Sequence, residues 1–188
     1  KKIRVAVNGA GRIGRAFVKL ALTHPELEVV AVNDLGDVEN MAYLLKYDTA
    51  YGVNRSSISV SSDKKSILVD GKNILCLSQK DPSALPWKDL NIDVVVESTG
   101  FFTSYEKARL HITAGARRVV ISAPVKGDEV CTILMGVNEE KFGTCDITSN
   151  ASCTTNAASP LIAILDETLG IEKAVLNTVH GYTASQAI

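Results

Sequence analysis

Ile3 to Asn8 is a short apolar run rich in β-branched residues. A run of that length predicts a buried strand. Glycines follow at once. Arg12 to Leu22 then carries apolar residues at helical spacing, with Ile13, Ala16, Phe17, Leu20 and Ala21 on one face. Pro25 ends this helix. Leu27 to Asn33 reads as a second buried strand. Strand, helix and strand within about thirty residues make a parallel crossover unit.

Further along, Val38 to Lys46 suits a short helix and Tyr47 to Arg55 is loop-like. Ile58 to Leu77 alternates β-branched residues around Asp70-Gly71, the signature of a hairpin turn and of an antiparallel excursion from a parallel sheet. Ile92 to Ser98 returns to a buried strand, followed by Thr99-Gly100. Ser104 to Ala114 predicts a helix with Gly115 as its stop. Arg118 to Ser122 is a strand ended by Pro124, and Thr132 to Gly136 and Ile147 to Ser149 are further short strands.

After Asn150 the rhythm changes. Ser152-Cys153-Thr154-Thr155-Asn156 opens a helix that runs to about Leu169, with Leu161, Leu165 and Leu169 on one stripe and Pro160 inside it. Gly170 ends it, and Ala174 to Val179 reads as a strand leading to His180. No flexible linker divides the chain. Motif order alone sets a boundary between residues 1–151, a nucleotide-binding domain, and residues 152–188, the beginning of a second domain.

The chain has 188 residues, 46% hydrophobic and 22% charged, with a formal net charge of −1. That is ordinary globular usage, and the charge gives no case for a nucleic-acid or acidic-membrane partner. The four cysteines form no C-x-x-C pair, and His24, His111 and His180 are scattered, so no metal site is expected. The opening residues turn polar at Asn8, too soon for the apolar region of a signal peptide, and no apolar run reaches membrane-spanning length. A soluble chain in a reducing, cytoplasmic compartment is the expectation.

The glycines carry the first chemistry. Gly9-Ala10-Gly11-Arg12-Ile13-Gly14 follows a strand and opens a helix, the context in which G-x-G-x-x-G binds a dinucleotide. Gly9 allows the tight turn, Gly11 lets a pyrophosphate approach the backbone, and Gly14 lets the helix pack close to the strand. Free N–H groups at the helix start face the phosphates. Asp34, twenty residues after Gly14, can accept the ribose hydroxyls of an adenosine and would repel a 2′-phosphate, which favours NAD over NADP. The bland alternative is a plain turn with Asp34 as a helix cap.

The second candidate is Cys153, at the start of a predicted helix with Ser152 as its cap. The positive helix end favours a thiolate. His180 is the candidate base, because a helix and a returning strand form an out-and-back path. Spacing alone leaves open a buried structural cysteine and a hydrogen-bonding histidine. Cys76 and Cys131 in apolar strand runs, Cys145 in a loop, His24 in a turn and His111 among helical charges call for no function.

Together these residues resemble phosphorylating glyceraldehyde-3-phosphate dehydrogenase. The matching stretches are Val7 to Arg15, Val32-Asn33-Asp34, Leu44 to Asp48, Glu97 to Gly100, Ile121 to Pro124, Ser149 to Asn156 and Thr178 to Thr183, in family order over essentially the whole chain. The segment around Cys153 is highly specific. The resemblance implies a Rossmann-type α/β fold, a doubly wound parallel sheet, followed by the start of an α+β catalytic domain. It implies Cys153 as nucleophile and His180 as its base. Ser152, Thr154 and Thr183 would hold substrate or inorganic phosphate. Arg12 and Ile13 match pyrophosphate contacts, Asp34 the ribose contact, Lys80 a basic residue near the adenine, and Thr99 and Ser122 cofactor-lining positions. The implied reaction is NAD-dependent oxidative phosphorylation of glyceraldehyde 3-phosphate through a thioester on Cys153, a step of glycolysis and gluconeogenesis.

Two small departures stand out: Ala10 where the family often has Phe, and Ala157 where a second cysteine is common. The family's chain also continues well beyond Ile188. It carries there an arginine for substrate phosphate, a loop that helps choose NAD or NADP, an asparagine near the nicotinamide and a C-terminal helix. The resemblance therefore implies an N-terminal portion of a chain that is homotetrameric when complete. An NAD-binding fragment without turnover and an erythrose-4-phosphate dehydrogenase are the alternatives, and His180-Gly181-Tyr182-Thr183 leans towards glyceraldehyde 3-phosphate.

Overall fold

The computed structural model describes residues 1–127 and 129–181. Strand β1 (Ile3–Asn8), helix α1 (Arg12–Ala21) and strand β2 (Leu27–Asn33) form the expected crossover, with β1 and β2 paired in parallel. Helix α2 (Val38–Lys46) starts at Asp37, whose carboxylate accepts from the Asn40 N–H. The segment read as a loop instead contains a small antiparallel pair, β3 (Tyr47–Asp48) and β4 (Gly52–Val53). The excursion follows as β5 (Ile58–Val60), β6 (Ser66–Val69) and β7 (Lys72–Leu77), antiparallel to one another, with β7 returning parallel to β2. After a connection that buries Leu85, Trp87 and Ile92 come β8 (Val94–Glu97), α3 (Tyr105–Thr113), β9 (Arg118–Ile121), β10 (Cys131–Thr132), β11 (Ile147–Ser149) and α4 (Cys153–Leu169).

Nine strands form one sheet in the order β10-β11-β9-β8-β1-β2-β7-β6-β5. The strands from β10 to β7 run parallel. Alternation along β1 explains the two layers. Val5 and Val7 point to one face and pack with Val18 and Ala21 of α1 and Met41 and Leu45 of α2. Ala6 points to the other face, where Val95, Ile121, Trp87 and Ala108 of α3 gather. Helices therefore cover both faces, the doubly wound arrangement that the resemblance implied.

Further expectations need correction. Helix α1 buries Gly14, Val18 and Ala21, while Ile13 and Leu20 are 57% and 63% exposed. Close approach of the helix through a glycine rotates the large side chains outward. The Thr132–Gly136 strand shrinks to Cys131–Thr132, because the Leu134 N–H turns to the Asn138 side chain and leaves the ladder. Residues 174–179 carry no ladder, and Val175 and Val179 are fully exposed: β-branched residues without a neighbouring strand do not make one. Cys131 and Cys145, read as unrelated, come together as a disulfide pair with Cα atoms 6.3 Å apart, because β10 and β11 are neighbours. The Leu161, Leu165 and Leu169 stripe on α4 is exposed, and α4 has no buried residue among those described.

The Asp70-Gly71 turn has both residues at positive φ, 48° and 78°, as a two-residue hairpin requires. An added Cβ at Gly71 would meet nothing within 4 Å. Gly71→Ala is therefore expected to cost about 1 kcal/mol, from backbone conformation alone, measured as a lower urea midpoint with an unchanged slope.

Candidate functional site

Strands β1, β2 and β8 end at Asn8, Asn33 and Glu97, side by side in the sheet. Connections leave the centre in opposite directions here, so the loops part and open a cleft at the carboxyl ends of the strands. The cleft has a volume of about 720 Å³ and is lined by Gly9, Gly11, Asp34, Lys80 and Thr99 among others. That size suits a cofactor.

The glycine turn is built by contact. Gly9 has φ +97°, and a Cβ there would lie 2.8 Å from the Thr99 nitrogen. A Cβ on Gly14 would collide with the Gly9 carbonyl oxygen and lie 2.8 Å from the Ser98 hydroxyl. Gly11 is different: nothing lies within 4 Å of its added Cβ. It precedes α1 without a side-chain cap, so the first N–H groups of the helix keep their donor capacity. An anionic group over Gly11 would meet those donors and the positive helix end.

Asp34 faces the same turn. One carboxylate oxygen accepts from the Ala10 N–H at 2.6 Å and the other from the Gly36 N–H at 2.8 Å. Each oxygen keeps a lone pair for a ligand hydroxyl. Donors at the turn, open space over Gly11 and an acceptor at Asp34 together fit the pyrophosphate and ribose of a dinucleotide. Arg12 and Ile13 stand on the exposed first turn of α1 and do not line the cleft. Ser122 follows β9, where its N–H donates to the Glu97 carbonyl at 2.9 Å, outside the cleft lining.

The second centre lies at the start of α4. Ser149 ends β11, and its hydroxyl donates to the Ala123 carbonyl at 2.7 Å and accepts from the Ala151 N–H at 3.0 Å. Ala151 has φ +56°, a conformation costly for a residue with a Cβ, and the surrounding bonds hold it there. The Asn156 side-chain amide donates to the carbonyls of Asn150 and Ser152 at 2.7 and 2.9 Å. Ser152 caps the helix, its oxygen accepting from the Thr155 N–H at 3.1 Å. Ser152→Ala should destabilise the first turn of α4 by about 1 kcal/mol, visible as faster amide exchange at Thr155.

Cys153 is thereby the first residue of α4, exposed, with Sγ 3.1 Å from Nε2 of His180. The Nδ1–H of His180 donates to the Gly181 carbonyl, which leaves Nε2 as the acceptor for the thiol proton. The His180 hydrogen bond, seconded by the Thr154 N–H, holds the Cys153 thiol below its ordinary range. The Cys153 hydrogen bond and the Gly181 carbonyl raise His180. Both shifts favour moving the proton from sulfur to ring, giving a thiolate beside an imidazolium. Thr154 is half-buried next to Cys153. Thr183 lies outside the described residues.

His111, read as a helix residue among charges that calls for no function, is fully buried. Its Nε2 is 3.0 Å from Glu97 and its Nδ1 accepts from the Trp87 indole at 3.0 Å. Charged neighbours on α3 conceal this in the sequence, and the partners come from distant segments. Among the described residues no group of His, Cys, Asp and Glu is arranged to hold a metal ion, and no helix is long and apolar enough to cross a membrane.

Residues 3–105 match the family description "Glyceraldehyde 3-phosphate dehydrogenase, NAD binding domain", and residues 152–188 match its C-terminal domain. The glyceraldehyde-3-phosphate dehydrogenase of Streptomyces coelicolor is 49% identical over 189 residues, covering 99% of this chain and 55% of the relative. That of Geobacillus stearothermophilus is 46% identical, covering 99% of this chain and 55% of the relative. The chloroplastic glyceraldehyde-3-phosphate dehydrogenase B of Pisum sativum is 45% identical, covering all of this chain and 42% of the relative. The chain thus spans about half the length of the curated relatives it matches. With matches on both sides of the Cys153 turn, the chain belongs to the glyceraldehyde 3-phosphate dehydrogenase family.

Proposed function

We propose that this chain forms the dinucleotide site and the nucleophile of an NAD-dependent phosphorylating glyceraldehyde-3-phosphate dehydrogenase. The observation that carries the reading is the 3.1 Å contact between Cys153 Sγ and His180 Nε2 at the start of α4. A thiolate stabilised by a helix end and an imidazolium is the nucleophile that an aldehyde oxidation through a thioester needs.

The Cys153 thiolate attacks the aldehyde carbon of glyceraldehyde 3-phosphate and forms a hemithioacetal. N–H groups of the first turn of α4 stabilise the developing oxyanion. The His180 imidazolium gives its proton to that oxygen to complete the hemithioacetal, and the neutral ring then takes the hydroxyl proton back as the carbon is oxidised. NAD, when bound, supplies the hydride acceptor. The resulting thioester on Cys153 is attacked by inorganic phosphate, which Ser152, Thr154 and Thr183 help to hold, and 1,3-bisphosphoglycerate leaves with the thiolate restored.

In the cleft, the turn at Gly9, Gly11 and Gly14, with the first turn of α1 at Arg12 and Ile13, would hold the pyrophosphate. Asp34 would hold the adenosine ribose, with Lys80 near the adenine and Thr99 and Ser122 along the remainder. The Asp34 carboxylate favours NAD over NADP by repelling a 2′-phosphate. The complete protein is read as a cytoplasmic homotetramer acting in glycolysis and gluconeogenesis.

The test is to mix the chain with NAD, glyceraldehyde 3-phosphate and inorganic phosphate and follow NADH. Phosphate-dependent NADH that disappears in Cys153→Ser supports the reading. NADH formation that survives Cys153→Ser removes Cys153 from the chemistry.

A further inference from the structure

A buried polar chain runs beneath the floor of the cleft, and the reaction steps above make no use of it. The Asn33 side-chain amide donates to Asn8 Oδ1 at 2.7 Å, and Asn8 Nδ2 donates to Glu97 Oε2 at 2.6 Å. Nε2 of His111 donates to the same Glu97 oxygen at 3.0 Å. The Trp87 indole N–H donates to Nδ1 of His111 at 3.0 Å. An indole nitrogen can only donate, so Nδ1 is an acceptor and the imidazole proton sits on Nε2. His111 is therefore a neutral donor to Glu97, and their contact is a hydrogen bond to a carboxylate without a second charge. The other Glu97 oxygen accepts from the Thr99 N–H at 2.8 Å and from the Thr99 hydroxyl. Asn8, Glu97, His111 and Trp87 are all buried to 1% exposure or less.

A buried carboxylate is costly unless every lone pair is used, and an apolar side chain would fill the same space. Here the carboxylate ends on a residue of the cleft wall. The hydrogen of the Thr99 hydroxyl is committed inward to Glu97, and one oxygen lone pair takes the Phe101 N–H at 3.1 Å. One lone pair remains, on a residue that lines the cleft.

We propose that Glu97 is a positioning residue that fixes the polarity of Thr99, so that the Thr99 hydroxyl presents only an acceptor to a donor group of the bound dinucleotide. His111, held by Trp87, and Asn8 keep Glu97 in place. The proposal rests on the reading of the cleft as the NAD site.

NAD binding by the wild-type chain and its variants, measured by calorimetry, tests this. Thr99→Val, which removes the hydroxyl, is expected to weaken NAD about tenfold, the loss of one hydrogen bond to a ligand. Thr99→Ser, which keeps it, should bind within about twofold of wild type. Glu97→Gln places an amide N–H₂ against either the Asn8 and His111 donors or the Thr99 donors, and should also weaken NAD about tenfold. The double variant Glu97→Gln/Thr99→Val should bind no worse than either single one, because both remove the same contact. Losses that multiply to about a hundredfold, or unchanged binding by Thr99→Val, would overturn the proposal. Should Glu97→Gln not fold, the emission of Trp87, the single tryptophan, takes its place. Saturating NAD is expected to change that emission in wild type and Thr99→Ser and to leave it unchanged in Thr99→Val. An equal change in all three overturns the coupling. Failure of the wild-type chain to bind NAD would remove the dinucleotide reading itself, whereas normal binding by every variant removes the role of Glu97 alone.

Discussion

At pH 7, iodoacetamide is expected to label Cys153 at least a hundredfold faster than Cys76. Among the described residues these are the two free thiols. Burial pushes the Cys76 thiol up to about 11, so only about one molecule in ten thousand carries its thiolate at pH 7. Cys153 is exposed, and its thiol is shifted the other way by His180 and by the N–H at the helix start. The thiolate is the reactive form, so the lowered Cys153 keeps its reactivity to lower pH than an ordinary thiol does. The sign reverses on removal of the partner. In His180→Ala the largest cause of the shift is gone, and the rise of the labelling rate moves to higher pH, with the rate at pH 7 down about tenfold. Mass spectrometry of the labelled peptides over a pH series checks both statements. A His180→Ala profile that coincides with wild type would mean that the contact at 3.1 Å does not govern the thiol.

Much of this was readable in the chain, and the reason differs from segment to segment. The bounds of β1 and β2 agree with the apolar runs because both faces of the central strands are covered, so pattern and burial coincide. The face of α1 was misread because periodicity weighs large side chains, whereas the contact surface is chosen by how closely the helix can approach. Gly14 wins that contest over Ile13, and the glycine motif already contained the information. Glu97 and His111 were opaque for another reason. A charged residue reads as solvated until its partners are known, and Asn8, Trp87 and Thr99 come from different elements. Cys131 and Cys145 likewise meet only because their strands are neighbours. The Cys153–His180 pair was suggested by an out-and-back path with a returning strand. Their 3.1 Å contact is reached without that strand.

The glycine motif allows folding and binding to be separated, through two substitutions three residues apart. Gly14→Ala is expected to destabilise the fold by about 3 kcal/mol, more than a hundredfold in the folded-to-unfolded ratio. In an exposed helix interior the same change would stabilise by up to about 1 kcal/mol. The sign reverses here because the new Cβ runs into the Gly9 carbonyl oxygen and the Ser98 hydroxyl. Neither can step aside cheaply: Gly9 is fixed by the turn, and the Ser98 hydroxyl donates to the Gly9 carbonyl at 2.8 Å. Relief requires moving α1 off the sheet, with Val18 and Ala21 losing their contacts. Gly11→Ala supplies the contrast. Its backbone has φ −66°, which alanine adopts readily, and its added Cβ meets no protein atom within 4 Å. The unfolding free energy of Gly11→Ala should therefore stay within about 0.5 kcal/mol of wild type. NAD should bind at least about tenfold more weakly, because the methyl group occupies the space through which a pyrophosphate reaches the helix N–H groups. Urea unfolding and NAD titration of both variants check the pair. Normal NAD binding by a stable Gly11→Ala would move the pyrophosphate away from this turn, whatever the stability of Gly14→Ala.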